Sequence, residues 1–306
     1  MSYTMKILCI DGGGIRGVFA IAILQAIEKE LGHPIEKSFD VIAGTSTGSI
    51  IATSASLQFE MEHLLQSYKK YGKKIFKRQA KVGLFKSVYS DKYLRKLLRK
   101  TFQDITLKEV KKPLLIPTVD LTHGKPFVHR SNYGHPDSED LSILVWDAVL
   151  SSCSAPVYFP PNNIRNDYLT IDGGLWANNP SLVCLTEGLQ FFQKELRDIK
   201  ILSIGTGQQK IDFTIDQDKF WGAKKWLPLH ILSLKVKPKL LDLALQLSSE
   251  SVTFQCKSLL GDNYLRLNAE LGREIPFDDL TCIEELIKLG DDVYEKEKNK
   301  ILHFIE

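Results

Sequence analysis

No stretch of this 306-residue chain reaches the roughly eighteen apolar residues that a membrane-spanning helix requires, so contact with a bilayer is expected to be peripheral. There is no H-E-x-x-H, no C-x-x-C and no spaced carboxylate loop of the calcium-binding kind, which argues against metal catalysis; no cofactor is expected. Cysteine is scarce: Cys9, Cys153, Cys184, Cys256 and Cys282 are odd in number, widely spaced and set mostly in apolar runs. They read as reduced core residues of a cytosolic protein. A strand-like segment begins within about five residues of Met1, leaving no room for the apolar region of a signal peptide. The expected location is therefore cytoplasmic, with action at a membrane surface. Repeats and low-complexity tracts are also missing. Lys and Arg number 40 against 37 acids, a net charge of only +3, and no DNA or RNA duplex partner is expected.

What is present is an ordinary globular composition, 43% hydrophobic and 25% charged, enough to bury a large core. Three apolar runs each lead straight into a glycine-bracketed polar group. Ile7-Leu8-Cys9-Ile10 is followed by Asp11-Gly12-Gly13-Gly14-Ile15-Arg16-Gly17, Val41-Ile42-Ala43 by Gly44-Thr45-Ser46-Thr47-Gly48, and Leu169-Thr170-Ile171 by Asp172-Gly173-Gly174. The second is a G-x-S-x-G serine elbow, in which Gly44 and Gly48 leave room for a sharp strand-to-helix turn that pushes the Ser46 Oγ into a cleft. The first opens a helix and offers the backbone N–H groups of Gly12, Gly13 and Gly14 to an oxyanion. The third offers Asp172 as base.

Each segment alone has a plainer explanation. Ser46 could cap a helix, and Asp172-Gly173-Gly174 could be an ordinary turn. The glycine loop also satisfies G-x-G-x-x-G, the dinucleotide-binding fingerprint. That reading requires an acid at the end of the next strand, about twenty residues on; Asp40 precedes its strand, and the strand ends in the serine elbow instead. The joint occurrence of all three segments favours a hydrolase.

In this order the segments resemble the patatin-like phospholipases, whose pattern is G-G-G-x-R-G, then G-x-S-x-G, then D-G-G/A. The run Ser151-Ser152-Cys153-Ser154-Ala155-Pro156-Val157-Tyr158-Phe159-Pro160 is similar to that family's small-residue run before the aspartate strand. The resemblance covers about residues 5–210 and implies an α/β fold, a mostly parallel central sheet sandwiched between helices, in a single domain over 1–306 with a helical C-terminal part from about 211. It also implies a lipid acyl hydrolase acting on membrane glycerophospholipids through a Ser46-Asp172 dyad. Asp172 takes the serine proton, Oγ attacks the ester carbonyl, and water then hydrolyses the acyl-enzyme. Arg16, from the G-G-G-x-R-G pattern, is expected to stiffen the loop, with Gly17 behind it; a solvent-exposed first-turn arginine is the alternative. A histidine triad in α/β-hydrolase order needs a histidine after the acid, and only His230 and His303 qualify, neither at a convincing strand end. The other five histidines look like surface or loop residues.

Apolar periodicity predicts helices from Val18 to Leu31, Thr47 to Leu57, Asp91 to Phe102, Asp242 to Leu259 and Asp279 to about His303. Ser142 is read as the N-cap of a helix through Val149, and Asn179-Pro180 as the start of one through Phe192, with proline at its first position. Strands are expected at Asp40–Ala43, Leu114–Asp120, Pro126–Arg130, Lys200–Ile204, which ends in Gly205-Thr206-Gly207, and Tyr264–Leu267.

Charge is unevenly spread. Between Lys69 and Lys100 thirteen Lys and Arg face one acid, Asp91, interleaved with Tyr68, Tyr71, Phe76, Phe85, Tyr89 and Tyr93. Three readings compete: a solvated helix face, a patch attracted to an anionic bilayer, or a pocket for a phosphodiester ligand. The last stays open because the chain's overall plan resembles bacterial anti-phage phospholipase effectors of this family, which implies a cyclic dinucleotide activator. Lipid-storage hydrolases and injected toxins belong to the same family.

Overall fold

The computed structural model describes residues 3–80, 86–133, 139–209, 229–230, 235–236 and 239–306. In chain order the elements are β1 (Met5–Ile10), α1 (Gly17–Leu31), β2 (Val41–Gly44), α2 (Thr47–Ser56), α3 (Met61–Ile75), α4 (Lys92–Phe102), β3 (Leu114–Asp120), β4 (Lys125–Arg130) and α5 (Val145–Ser152). Then come β5 (Asn162–Ile164), β6 (Tyr168–Asp172), α6 (Gly174–Ala177), α7 (Ser181–Gln190), β7 (Ile199–Ile204), β8 (Leu229–His230), β9 (Lys235–Val236), α8 (Lys239–Leu260), β10 (Tyr264–Leu267) and α9 (Ile283–Ile305). Among the described residues β8 and β9 pair only with each other.

The parallel strands run β10-β7-β1-β2-β3 and are mostly apolar because both faces are covered. Side chains alternate between the two layers. Leu8, Ile10, Ile42, Leu202 and Ile204 pack under α1 to α5 and α9, whereas Ile7, Cys9, Ala43 and Ile201 pack with Cys184 and Leu185 of α7 and Val252 and Cys256 of α8. Burying each such side chain contributes about 1.5–3 kcal/mol, which is why short strands hold here without strong local propensity. The last hundred residues, which carry no motif, supply the edge strand β10 and two covering helices.

One detail of the sheet builds the site. β4 occupies one edge of β3 from Leu115 to Asp120, so β2, paired to Leu114 and Leu115, and β6, paired to Thr118–Asp120, must share the other edge. β2 runs parallel to β3 and β6 antiparallel, so the two lie in line with their carboxyl ends facing. The elbow serine leaves one end and Asp172 sits at the other.

Several boundaries depart from the sequence reading, two of them with a clear local cause. Ser142 closes a single 3-10 turn and the helix starts only at Val145, because Leu144 is extended, with the Ile143 carbonyl and the Val145 N–H on either side of it bonded to the backbone of Leu107 and Ile105. Pro180 sits at the N-cap of α7 rather than at its first residue, with the Asn179 carboxamide accepting from the Ser181 N–H at 3.0 Å.

Candidate active site

Ser46 follows β2 with φ 54° and ψ −124°, a conformation that costs a non-glycine residue about 1–3 kcal/mol. Neighbouring bonds hold it there. The Ser46 N–H donates to Ser152 Oγ at 2.9 Å, and Ser152 in turn donates to the Pro117 carbonyl at 2.6 Å, locking the elbow to α5 and β3. Thr45 Oγ1 donates to the Ala177 carbonyl at 2.6 Å, tying it to the helix after Asp172. Gly44 abuts the backbone of Gly48, and Gly48 abuts the backbone of Ile10 and Asp11, so neither position has room for a Cβ.

Asp172 is buried, its N–H bonded to the Ser154 carbonyl at 3.1 Å and its Oδ1 accepting from the Gly174 N–H at 2.8 Å. The Ser46 side chain lies beside its carboxylate in the same cavity. Burial pushes its pKa up to about 6, opposed by Ser46 and by the Gly174 N–H. The small-residue run thus serves a physical purpose, since Ser152 and Ser154 fix the backbones of the two facing groups.

The glycine loop closes the third side, with one correction. The Gly12 N–H is spent on the Asn178 carbonyl at 3.1 Å and cannot serve an oxyanion; Gly12 lies against Ser46 instead. The N–H groups of Gly13 and Gly14 have no acceptor among the described residues. Gly14 has φ 59° and abuts Phe277, whose carbonyl takes the Ile15 N–H at 2.9 Å. Arg16 is buried, not exposed, and its Nε donates to the Gly13 carbonyl at 3.3 Å. Burial pushes this guanidinium's pKa down, opposed by the negative charge of Asp242. Gly17 packs against Thr47 at the start of α2. Beneath the loop, Asp11 is clamped by Arg266 through bonds of 2.8 and 2.6 Å, with Ser249 donating to it at 3.0 Å.

These groups lie at the base of a cavity of about 150 Å³ whose walls are Leu64, Tyr68 and Ile75 of α3 and Leu94, Leu97 and Leu98 of α4. The two helices of the basic block are therefore amphipathic: their apolar faces build the cavity and their lysines point outward. Most interleaved aromatics are not outward platforms. Tyr68 bonds Thr47, Phe76 lines the cavity, and Tyr89 is 1% exposed; Tyr71 and Tyr93 pack together under Lys70 and Lys74. Lys81 and Phe85 lie outside the described residues. Arg95 belongs to the interior scaffold, bonded to Asp91 and Asn162.

The histidine expectation holds only in part. His33, His63 and His123 are surface or loop residues, but His129 on β4 is fully buried beside Phe127, and burial pushes its pKa down to about 3. His303 is exposed on α9; His135 and the His230 side chain lie outside the described residues. Among the described residues no group of three or more His, Cys, Asp or Glu is placed to hold a metal ion, and all five cysteines are buried and unpaired. No described helix is long and apolar enough to cross a membrane.

Asn178, Thr206, Ser249 and Arg266 were missed from sequence. Only Thr206, between two glycines at a strand end, carried a local signal.

A strained elbow serine beside a buried carboxylate, next to two amides without an acceptor among the described residues and an apolar cavity, is the arrangement of an acyl hydrolase. Residues 8–185 match the family described as Patatin-like phospholipase, more than half of the chain, and the protein belongs to that family; it is a lipid acyl hydrolase. It is 30% identical to a cGAMP-activated phospholipase of Pseudomonas aeruginosa, across 87% of this chain and 78% of that one. Identity is 28% to a cUMP-AMP-activated phospholipase of Escherichia coli, covering 74% and 72%, and 28% to patatin-like protein 1 of Arabidopsis thaliana, covering 94% and 80%.

Proposed function

We propose that the protein cleaves fatty-acyl esters of membrane glycerophospholipids without a metal, using Ser46 as nucleophile, Asp172 as its base and the Gly13 and Gly14 N–H groups as the oxyanion hole. The observation that carries this reading is that Ser46, on its strained elbow, and the buried Asp172 line one apolar cavity together with the glycine loop. A carboxylate in water is too weak a base for a serine hydroxyl, and burial narrows that gap. The apolar cavity accommodates acyl chain next to the nucleophile, and Arg16 stiffens the loop from below. The test is release of fatty acid from mixed phospholipid vesicles in the presence of a chelator.

Gly13→Ala probes the oxyanion hole. The new Cβ meets the side chain of Thr206, so the loop must shift and the Gly13 N–H tilts away. Losing one such donor costs about 100-fold or more in kcat. Turnover at the parent rate in a normally folded variant would sink the assignment.

A second reading, favoured by the relatives' activation by cyclic nucleotides, is that a cyclic dinucleotide switches this hydrolase on. The exposed basic faces of α3 and α4 suit either that anion or an anionic bilayer. Reversing Lys73, Lys77, Lys96 and Lys100, all exposed, separates the two; Arg95 is left intact because it is structural. If the face docks on lipid, the variant binds anionic vesicles weakly and its activity becomes less sensitive to salt, since exposed attractions are screened over about 10 Å. Hydrolysis of a small soluble ester is unchanged. If the face binds nucleotide, stimulation by a cyclic dinucleotide panel is lost even on neutral vesicles. Parent-like behaviour in all three assays makes the block a solvated surface.

A further inference from the structure

We propose that Thr206 is a positioning residue for catalysis: its hydroxyl fixes the orientation of the Gly12-Gly13 peptide and so aims the Gly13 N–H at the reacting oxygen. Thr206 leaves the carboxyl end of β7, is 4% exposed, and donates from Oγ1 to the Gly12 carbonyl at 2.8 Å. In a trans peptide the C=O of one residue and the N–H of the next point in opposite directions across one plane. Holding the Gly12 oxygen on the Thr206 side therefore turns the Gly13 N–H the other way, and that N–H has no acceptor of its own among the described residues.

Such control is needed because glycines on both sides leave the plane free to rotate. The other contact to the Gly12 oxygen, from the Asn178 carboxamide, is long at 3.5 Å, so Thr206 dominates. One peptide further on, the Gly13 oxygen takes the Arg16 backbone N–H at 3.2 Å and its Nε at 3.3 Å, which together orient the Gly14 N–H. An oxyanion hole works because its donors are aimed before charge develops, and a plane free to rotate forfeits that advantage.

The proposal rests on Gly13 being an oxyanion donor, and the experiment separates the two claims. Thr206→Val removes the hydroxyl and keeps the shape; Thr206→Ser removes the methyl and keeps the hydroxyl. On phospholipid vesicles and on a soluble ester, the valine variant is expected to lose about 10- to 100-fold in kcat with KM nearly unchanged, and to react more slowly with a fluorophosphonate. The serine variant stays within about threefold of the parent. The half-maximal pH of kcat/KM is the same in both, because Asp172 is not perturbed. Should the valine variant fail to fold by circular dichroism, Thr206→Ala is read in its place against the serine variant. Parent-like kcat in the hydroxyl-free variant, or equal losses in the valine and serine variants, overturns the positioning role. Ser46→Ala run alongside reports on the hydrolase reading itself: if it keeps full activity, that reading has failed independently of Thr206.

Discussion

Ser46→Ala is expected to leave no fatty-acid release above background, a loss of about 10⁴-fold or more, because the proposed nucleophile is gone and only binding and the proposed oxyanion hole remain. The fold survives the change. Ser46 is held through its backbone, by Ser152, and not through its side chain, so the thermal transition is expected to remain within a few degrees of the parent's. Fluorophosphonate labelling disappears with the activity. A folded alanine variant that still hydrolyses phospholipid would place the chemistry elsewhere in the cavity.

Asp172→Asn has the second largest effect, and its sign differs between activity and stability. Asparagine cannot accept the Ser46 proton, so kcat falls by about 10³-fold or more. In the parent, Asp172 works only when ionised, so kcat/KM rises about tenfold per pH unit up to about 6 and is level above it. For stability the ionised form is the penalised one. The folded pKa of about 6 lies above the ordinary 3.8, so this group's favourable contribution is complete below about 3.8 and is lost as pH rises through about 6. At neutral pH the buried charge costs about 3 kcal/mol, and its removal is expected to raise the melting temperature on the order of 5 °C. Pairing lost activity with gained stability is what distinguishes a buried working base from a structural carboxylate. A variant that unfolds earlier than the parent, or a kcat/KM midpoint near 4, contradicts this account of Asp172.

The site was legible in sequence where its chemistry uses local backbone geometry. An elbow requires glycines beside the serine, a donor loop requires glycines after a strand, and both leave marks within a few residues; some strands also follow from apolar patterning to the residue, as at Leu114–Asp120 and Tyr264–Leu267, whereas the cavity helix Met61–Ile75 was missed. What stayed hidden depends on contacts across the chain. The meeting of Ser46 with Asp172 is fixed by β2 and β6 sharing one edge of β3, a matter of strand pairing that neither segment encodes alone. Arg266 reaches Asp11 from 255 residues away, and nothing around it sets it apart from other strand arginines. Gly12 looked like a donor because it shares one glycine run with Gly13 and Gly14, and only the placement of Asn178 takes up its N–H. The basic block read as a surface feature, yet its apolar side forms the cavity wall, because an amphipathic helix carries two messages and composition reports the louder one.

The central claim is that a serine and an aspartate carry the chemistry without a histidine. It is tested most directly by mapping the fluorophosphonate adduct by peptide mass spectrometry in the parent and in Asp172→Asn, His129→Ala, His230→Ala and His303→Ala, each first checked for folding. The account predicts one adduct, on Ser46, formed at the parent rate in every folded histidine variant and at least about a hundredfold more slowly in Asp172→Asn. An adduct on any other residue, or a folded histidine variant that no longer labels, would contradict it.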